Sequence, residues 1–125
     1  MVNFDIFDAD TRTIKVVLEK IDNFGDLSRF TNLEQLVLWD CKFDGLPESL
    51  GSLTSLKLLV LLNCGLTSLP HSIGNLKNLK FINIIGNNIT SLPDSIVELD
   101  GMYRIAADLH LCEKLRVLLP NTKIY

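Results

Sequence analysis

Sixty-nine of the 125 residues are three copies of one 23-residue unit, and that periodicity constrains the fold more than any other feature of the chain. Leu33–Ser55, Leu56–Asn78 and Leu79–Gly101 align without a gap. Leu46-Pro47, Leu69-Pro70 and Leu92-Pro93 recur at one place in the unit, and the fourth proline, Pro120, also follows a leucine. A fixed period of this length is the signature of stacked supersecondary units, each too small to bury its own apolar face.

Each unit opens with apolar residues at positions 1, 4 and 6, then Cys or Asn at 9 and a large apolar residue at 11. These are Leu33, Leu36, Leu38, Cys41 and Phe43; Leu56, Leu59, Leu61, Cys64 and Leu66; Leu79, Ile82, Ile84, Asn87 and Ile89. L-x-L alternates with period two, so a short strand points both apolar side chains to one face. The Cys or Asn then turns the chain, and a buried Asn needs its amide satisfied by neighbouring backbone. Leu-Pro-x-x-Ile crosses back on the far side, where a missing N–H does no harm to a sheet ladder. The pattern resembles the 23-residue typical class of leucine-rich repeats, L-x-x-L-x-L-x-x-N/C-x-L-x-x-L-P-x-x-I-G-x-L. The resemblance implies an α/β fold, a right-handed solenoid with parallel strands on its concave side.

The expected organisation is one domain over residues 1–125. Residues 1–32 form an N-terminal cap and a divergent repeat, 33–55, 56–78 and 79–101 are repeats, and 102–125 hold a partial repeat and a capping helix. In the divergent repeat Val16 and Leu18 take the places of Leu36 and Leu38, and Phe30 that of Leu53. Ahead of it, residues 3–17 are expected to form a hairpin turning at Asp8–Arg12 and covering the first strand edge. At the other end the spacing predicts a helix over 108–118, with Leu109, Cys112, Leu115, Leu118 and Leu119 on its buried face. Pro120 stops that helix, and Thr122–Tyr125 follow as a short strand.

Composition removes several functions. Twelve Lys and Arg against fifteen Asp and Glu give a net charge of −3, and no basic run is present to hold a nucleic-acid backbone by counterion release. The longest apolar run, Leu58–Leu62, is far short of the ~20 residues a bilayer demands. Met1–Asp5 lacks the basic start and apolar stretch of a signal peptide, and three cysteines, an odd number, do not make a disulfide framework. The expectation is a cytoplasmic chain, in which the glycosylation sequon Asn88-Ile89-Thr90 has no use.

No catalytic, cofactor or metal constellation is expected. His71 occupies the exposed position filled by Glu48 and Asp94 in the sister repeats. His110 and Cys112 are two apart and diverge on a helix. Cys41 and Cys64 are spaced by the repeat itself and read as buried structural thiols. Gly45, Gly51, Gly65 and Gly74 belong to repeat turns, and the Asp8 and Asp10 carboxylates to a solvated one. The chain is accordingly read as non-enzymatic.

The informative residues are those interleaved with the core leucines, because they project from the opposite, concave face. Seven are large and apolar: Val37, Trp39, Leu58, Val60, Leu62, Phe81 and Ile85. They account for a mean hydropathy of +0.26. Their expected columns, Leu58–Phe81, Val37–Val60 and Trp39–Leu62–Ile85, make a patch on the order of 300–600 Å², the size of the largest and often functional patches on monomers. Asp40, Asn63 and Arg104 form its polar rim, and Lys15, Val17 and Glu19 precede it. The sequence therefore points to a protein-interaction module binding a protein partner, or a second copy of itself as a homodimer, through this face. The alternative is a structural fragment of a longer repeat scaffold without a binding site of its own; Met1 and the capped ends speak against it.

Overall fold

A computed structural model describes all of residues 1–125. Eight strands and one α-helix follow one another as β1 (Val2–Asn3), β2 (Thr13–Val17), β3 (Ile21–Asn23), β4 (Gln35–Trp39), β5 (Leu58–Leu62), β6 (Phe81–Asn83), β7 (Arg104–Ala106), α1 (Leu109–Leu118) and β8 (Lys123–Ile124). Six of them form one all-parallel sheet in the order β2-β4-β5-β6-β7-β8. The register from β4 to β6 steps by the repeat, with Leu36 beside Leu59 and Leu59 beside Ile82. The crossings on the far side are 3-10 turns at Leu27–Arg29, Glu48–Ser52, His71–Asn75 and Asp94–Glu98. Between sheet and turns lies one core of 34 buried apolar residues, which include Leu36, Leu38, Leu59, Leu61, Ile82 and Ile84.

The second and third of these turns stack closely on the next because each carries a glycine at the contact. A Cβ on Gly51 would lie 2.5 Å from the carbonyl oxygen of Ser72, and one on Gly74 would lie 2.7 Å from that of Ser95. The Gly51 N–H donates to the Ser72 hydroxyl at 3.2 Å. In the third unit the same position is Val97, whose side chain is exposed.

At its amino terminus the chain departs from expectation in two ways. Residues 3–17 do not form a hairpin: β1 pairs in parallel with β3, Val2 beside Ile21, and the Val2 N–H donates to the Lys20 carbonyl at 2.7 Å. The end of the core is plugged instead by Phe4, fully buried and edge-on to Phe24 at 4.8 Å, Phe7 at 5.2 Å and Phe30 at 6.4 Å. Arg29 fixes this plug, donating to the carbonyls of Phe4 (2.6 Å) and Phe7 (2.9 Å). The step from β2 to β4 is 22 residues, with Ile14 beside Leu36 and Val16 beside Leu38. Val16 is thus the partner of Leu38, and Leu18 lies beyond the strand, 74% exposed and at φ 59°.

At the carboxyl end α1 and β8 stand where the spacing placed them, β8 adding in parallel to β7. The buried face of α1 carries Leu111, Cys112 and Leu115, whereas Leu109 is 92% exposed. Asp108 continues the exposed column at the strand ends, so Leu109 falls on the solvent rim before the helix has turned inward.

Candidate functional site

The turn after each strand holds the concave surface in place through a buried ladder. Asn87 donates from Nδ2 to the carbonyls of Leu61 (2.6 Å) and Ile84 (2.9 Å), and its Oδ1 accepts from the N–H groups of Cys64 (3.0 Å) and Leu66 (3.1 Å). All four hydrogen-bonding sites of the amide are used. One unit back, the Cys64 thiol reaches the Leu38 and Leu62 carbonyls, both at 3.4 Å, and the Cys41 thiol reaches those of Val16 and Trp39. Burial pushes the Cys64 thiol above its ordinary range, an effect only partly offset by the Cys41 N–H beside it. Both thiols are buried, as their spacing indicated, and all three cysteines are free.

The residue before each ladder position must turn sharply. Asp40 and Asn63 take left-handed φ values of 54° and 53°, as Leu18 does one unit earlier, and Gly86 follows at 81°. Asn and Asp tolerate this region better than other non-glycine residues. At Gly86 space adds to conformation, since a Cβ there would sit 1.6 Å from Oδ1 of Asn63. Asp40 and Asn63 therefore serve the strand-to-turn geometry as well as edging the face.

Across the sheet, neighbouring strands bring the interleaved residues into columns. Gln35, Leu58, Phe81, Arg104 and Lys123 form one; Lys15, Val37, Val60, Asn83 and Ala106 a second; Val17, Trp39 and Leu62 a third. Ile85 extends the third, because the Asn63 N–H donates to its carbonyl at 3.0 Å. Trp39 is 44% exposed, Ile85 is exposed too, and Val37, Leu58, Val60, Leu62 and Phe81 are half-buried. Ala106, grouped with the exposed residues by its parity, is buried. Glu19 lies past β2 and pairs with the amino terminus at 2.7 Å, so it is not part of the columns.

Sequence reasoning missed what lies at the strand starts. Backbone bonds from Glu34 to Arg12, Lys57 to Glu34, Lys80 to Lys57 and Tyr103 to Lys80 set these residues side by side just before the first column. Glu34 is shared by Arg12 (3.5 Å) and Lys57 (3.6 Å). Lys80 sits 5.2 Å from the Tyr103 ring, and the Arg104 guanidinium lies 5.8 Å from the Phe81 ring and 5.2 Å from the Tyr125 ring. The available signal was the second position of each repeat, which reads Glu34, Lys57, Lys80. The other candidates play smaller parts: His71 is exposed, and His110 Nε2 lies 2.7 Å from the Ile89 carbonyl, tying α1 to the third repeat. No three His, Cys, Asp or Glu side chains cluster as metal ligands would, and no helix is long and apolar enough to cross a membrane.

Comparison with known proteins agrees with this architecture. The family described as leucine-rich repeat region matches residues 10–122. A leucine-rich repeat protein of Leptospira interrogans superposes with a TM-score of 0.77 at 30% identity, over 85% of this chain and 29% of that one. An internalin from Listeria monocytogenes shares 16% identity over 90% of this chain and 46% of its own, with a TM-score of 0.39. The chain thus spans less than half the length of either protein. No curated protein matches it. With its period, parallel strands, Asn and Cys ladder and a family match over nearly its whole length, the chain belongs to the leucine-rich repeat family.

Proposed function

We propose that the chain is a non-enzymatic protein-interaction module whose concave face binds another protein through Val37, Trp39, Leu58, Val60, Leu62, Phe81 and Ile85. One observation carries the reading: these side chains stand in adjoining columns on a face the core does not need. The core leucines are already buried on the other side of the same strands. A half-exposed tryptophan beside Leu62 is the kind of anchor that dominates binding energy once a partner desolvates it. The family's general use as a protein-binding scaffold supports the same reading.

The test pairs Trp39→Ser with Leu62→Ser. Neither residue belongs to the core cluster, so the melting temperature should change little. Loss of each anchor should cost on the order of 1–4 kcal/mol of binding. A protein captured by the wild type should be lost by the double variant; if a second copy is the partner, a dimer should become a monomer. A monomeric wild type whose captured proteins are the same with and without the two substitutions refutes the proposal.

A further inference from the structure

The same face is charged as unevenly as it is apolar. Arg12, Lys57 and Lys80 line the strand starts, and Lys15, Arg104 and Lys123 stand in the first two columns. These are six of the twelve cationic side chains of a protein whose net charge is −3. Glu34 is the one carboxylate among them and is already shared by Arg12 and Lys57. Lys15, Lys80, Arg104 and Lys123 make no ion pair. At the other end of the strands stand Asp40, just past Trp39, and Asp108, which follows Ile85 in the third column.

Arg104 is the most instructive of these. Its exposed guanidinium lies near two ring faces, 5.8 Å from the Phe81 centroid and 5.2 Å from that of Tyr125. A planar guanidinium without a carboxylate partner is suited to pair with one from another molecule in the bidentate manner. From the column of Leu58 to that of Leu62 is four residues along a strand, ~13 Å. That separation is close to the ~10–12 Å width of a helix with its side chains. Six strands span ~24 Å across the sheet, the length of ~16 helical residues.

Building on the face as a binding site, we propose that its partner is an acidic amphipathic segment about one helix wide, lying across the strands. Its apolar side rests on Trp39, Leu62, Val60 and Leu58, and its carboxylates meet Lys80 and Arg104. This is helix-in-groove recognition, in which apolar anchors give affinity and flanking charge sets orientation and on-rate. The carboxylates Asp40 and Asp108 reject the reversed placement by like-charge repulsion.

The experiment is selection from a displayed library of random 16-residue peptides against the full chain, its Lys80→Glu/Arg104→Glu variant, and the Trp39→Ser/Leu62→Ser variant. The wild type should enrich sequences rich in Asp and Glu with Leu or Phe at helical spacing. A selected peptide should lose roughly tenfold in affinity for the charge-reversed variant, the sum of two lost rim pairs and the repulsion that replaces them. Exchanging its acidic residues for Lys should restore binding to that variant, which damage to the fold would not do. Selected peptides without acidic bias, or acidic ones indifferent to the charge reversal, overturn the inference. They leave the face as a binding site, provided the Trp39→Ser/Leu62→Ser variant loses them. No enrichment over that variant overturns both readings. A wild-type dimer dispersed by the same two substitutions makes a second copy the occupant and overturns the acidic segment. Tighter binding of a 20-nucleotide oligothymidylate, abolished by the charge reversal, does so in favour of single-stranded nucleic acid.

Discussion

Removing the side chain of Asn87 should cost far more than its volume. The amide holds two carbonyls and two N–H groups across neighbouring repeats, and the Cys64 and Leu66 N–H groups have no other acceptor. Asn87→Ala strands both donors in a site that is 6% exposed. At ~1–3 kcal/mol for each buried donor left unpaired, and with some relief from water entering the space, the loss should be ~3–5 kcal/mol. For a domain of this size that lowers the melting temperature by ~10–20 °C. Asn87→Leu keeps the shape and removes all four bonds, so it should be no better than alanine. Asn87→Cys should recover part of the loss, because the thiols at 41 and 64 already reach the Val16 and Leu38 carbonyls, which correspond to that of Leu61, and a second carbonyl two residues before each. Urea unfolding followed by far-ultraviolet dichroism and by fluorescence of Trp39 provides the measurement. Asn87→Ala within ~1 kcal/mol of wild type, or a cysteine variant no more stable than the leucine one, would refute the assignment of the cost to unsatisfied backbone.

Two further outcomes follow from the same geometry. Leu61→Ala, at a fully buried position, should cost ~2–5 kcal/mol, whereas the adjacent, half-buried Val60→Ser should cost clearly less; equal urea midpoints for the two would contradict the separation of core from concave face. The raised thiol of Cys64 contributes stability that is fully present below the ordinary thiol value of 9.0 and is lost as pH climbs past it, because the unfolded chain then releases the proton first. Urea midpoints taken between pH 7 and 10.5 should fall more steeply for wild type than for Cys64→Ala, and parallel slopes would show the thiol to be uninvolved.

The sheet was legible in the sequence wherever the period was strict. L-x-L at 36–38, 59–61 and 82–84 fixed which residues face inward, and the strands there keep the expected register. The amino-terminal unit was not legible, because it is one residue short between strands. Matching Phe30 to Leu53 keeps a step of 23 and matching Val16 to Leu36 one of 20, while the strand itself steps by 22, and only the backbone bonds of β2 reveal this. The hairpin expectation failed for a related reason. Alternating residues before β2 look alike whether their edge bonds go to β2 or to β3; with β1 on β3, Phe4 packs edge-on against Phe24 just past β3 and against Phe30. On α1 the pattern admitted two faces, and the choice of Leu111 over Leu109 depends on where Asp108 leaves the sheet. The apolar columns were visible in the spacing, as were Arg104 and Lys15 beside them; Arg12, Lys57 and Lys80 were passed over because they precede the strands, outside the alternation that marks the face.

The glycine-to-serine contact between successive 3-10 turns also determines which piece of this chain can be copied. Residues 56–78 carry both halves of the joint, Ser72 to receive the preceding unit and Gly74 to admit the next. Tandem duplication of that segment would set Gly74 against a second Ser72 and reproduce a joint the protein already contains. Duplication of residues 79–101 would instead press the Val97 side chain into a gap where even one Cβ on the equivalent glycine lies 2.7 Å from a carbonyl oxygen. Growth of the array by internal copying is therefore permitted from its middle and blocked at its carboxyl-terminal unit, unless Val97 first becomes glycine.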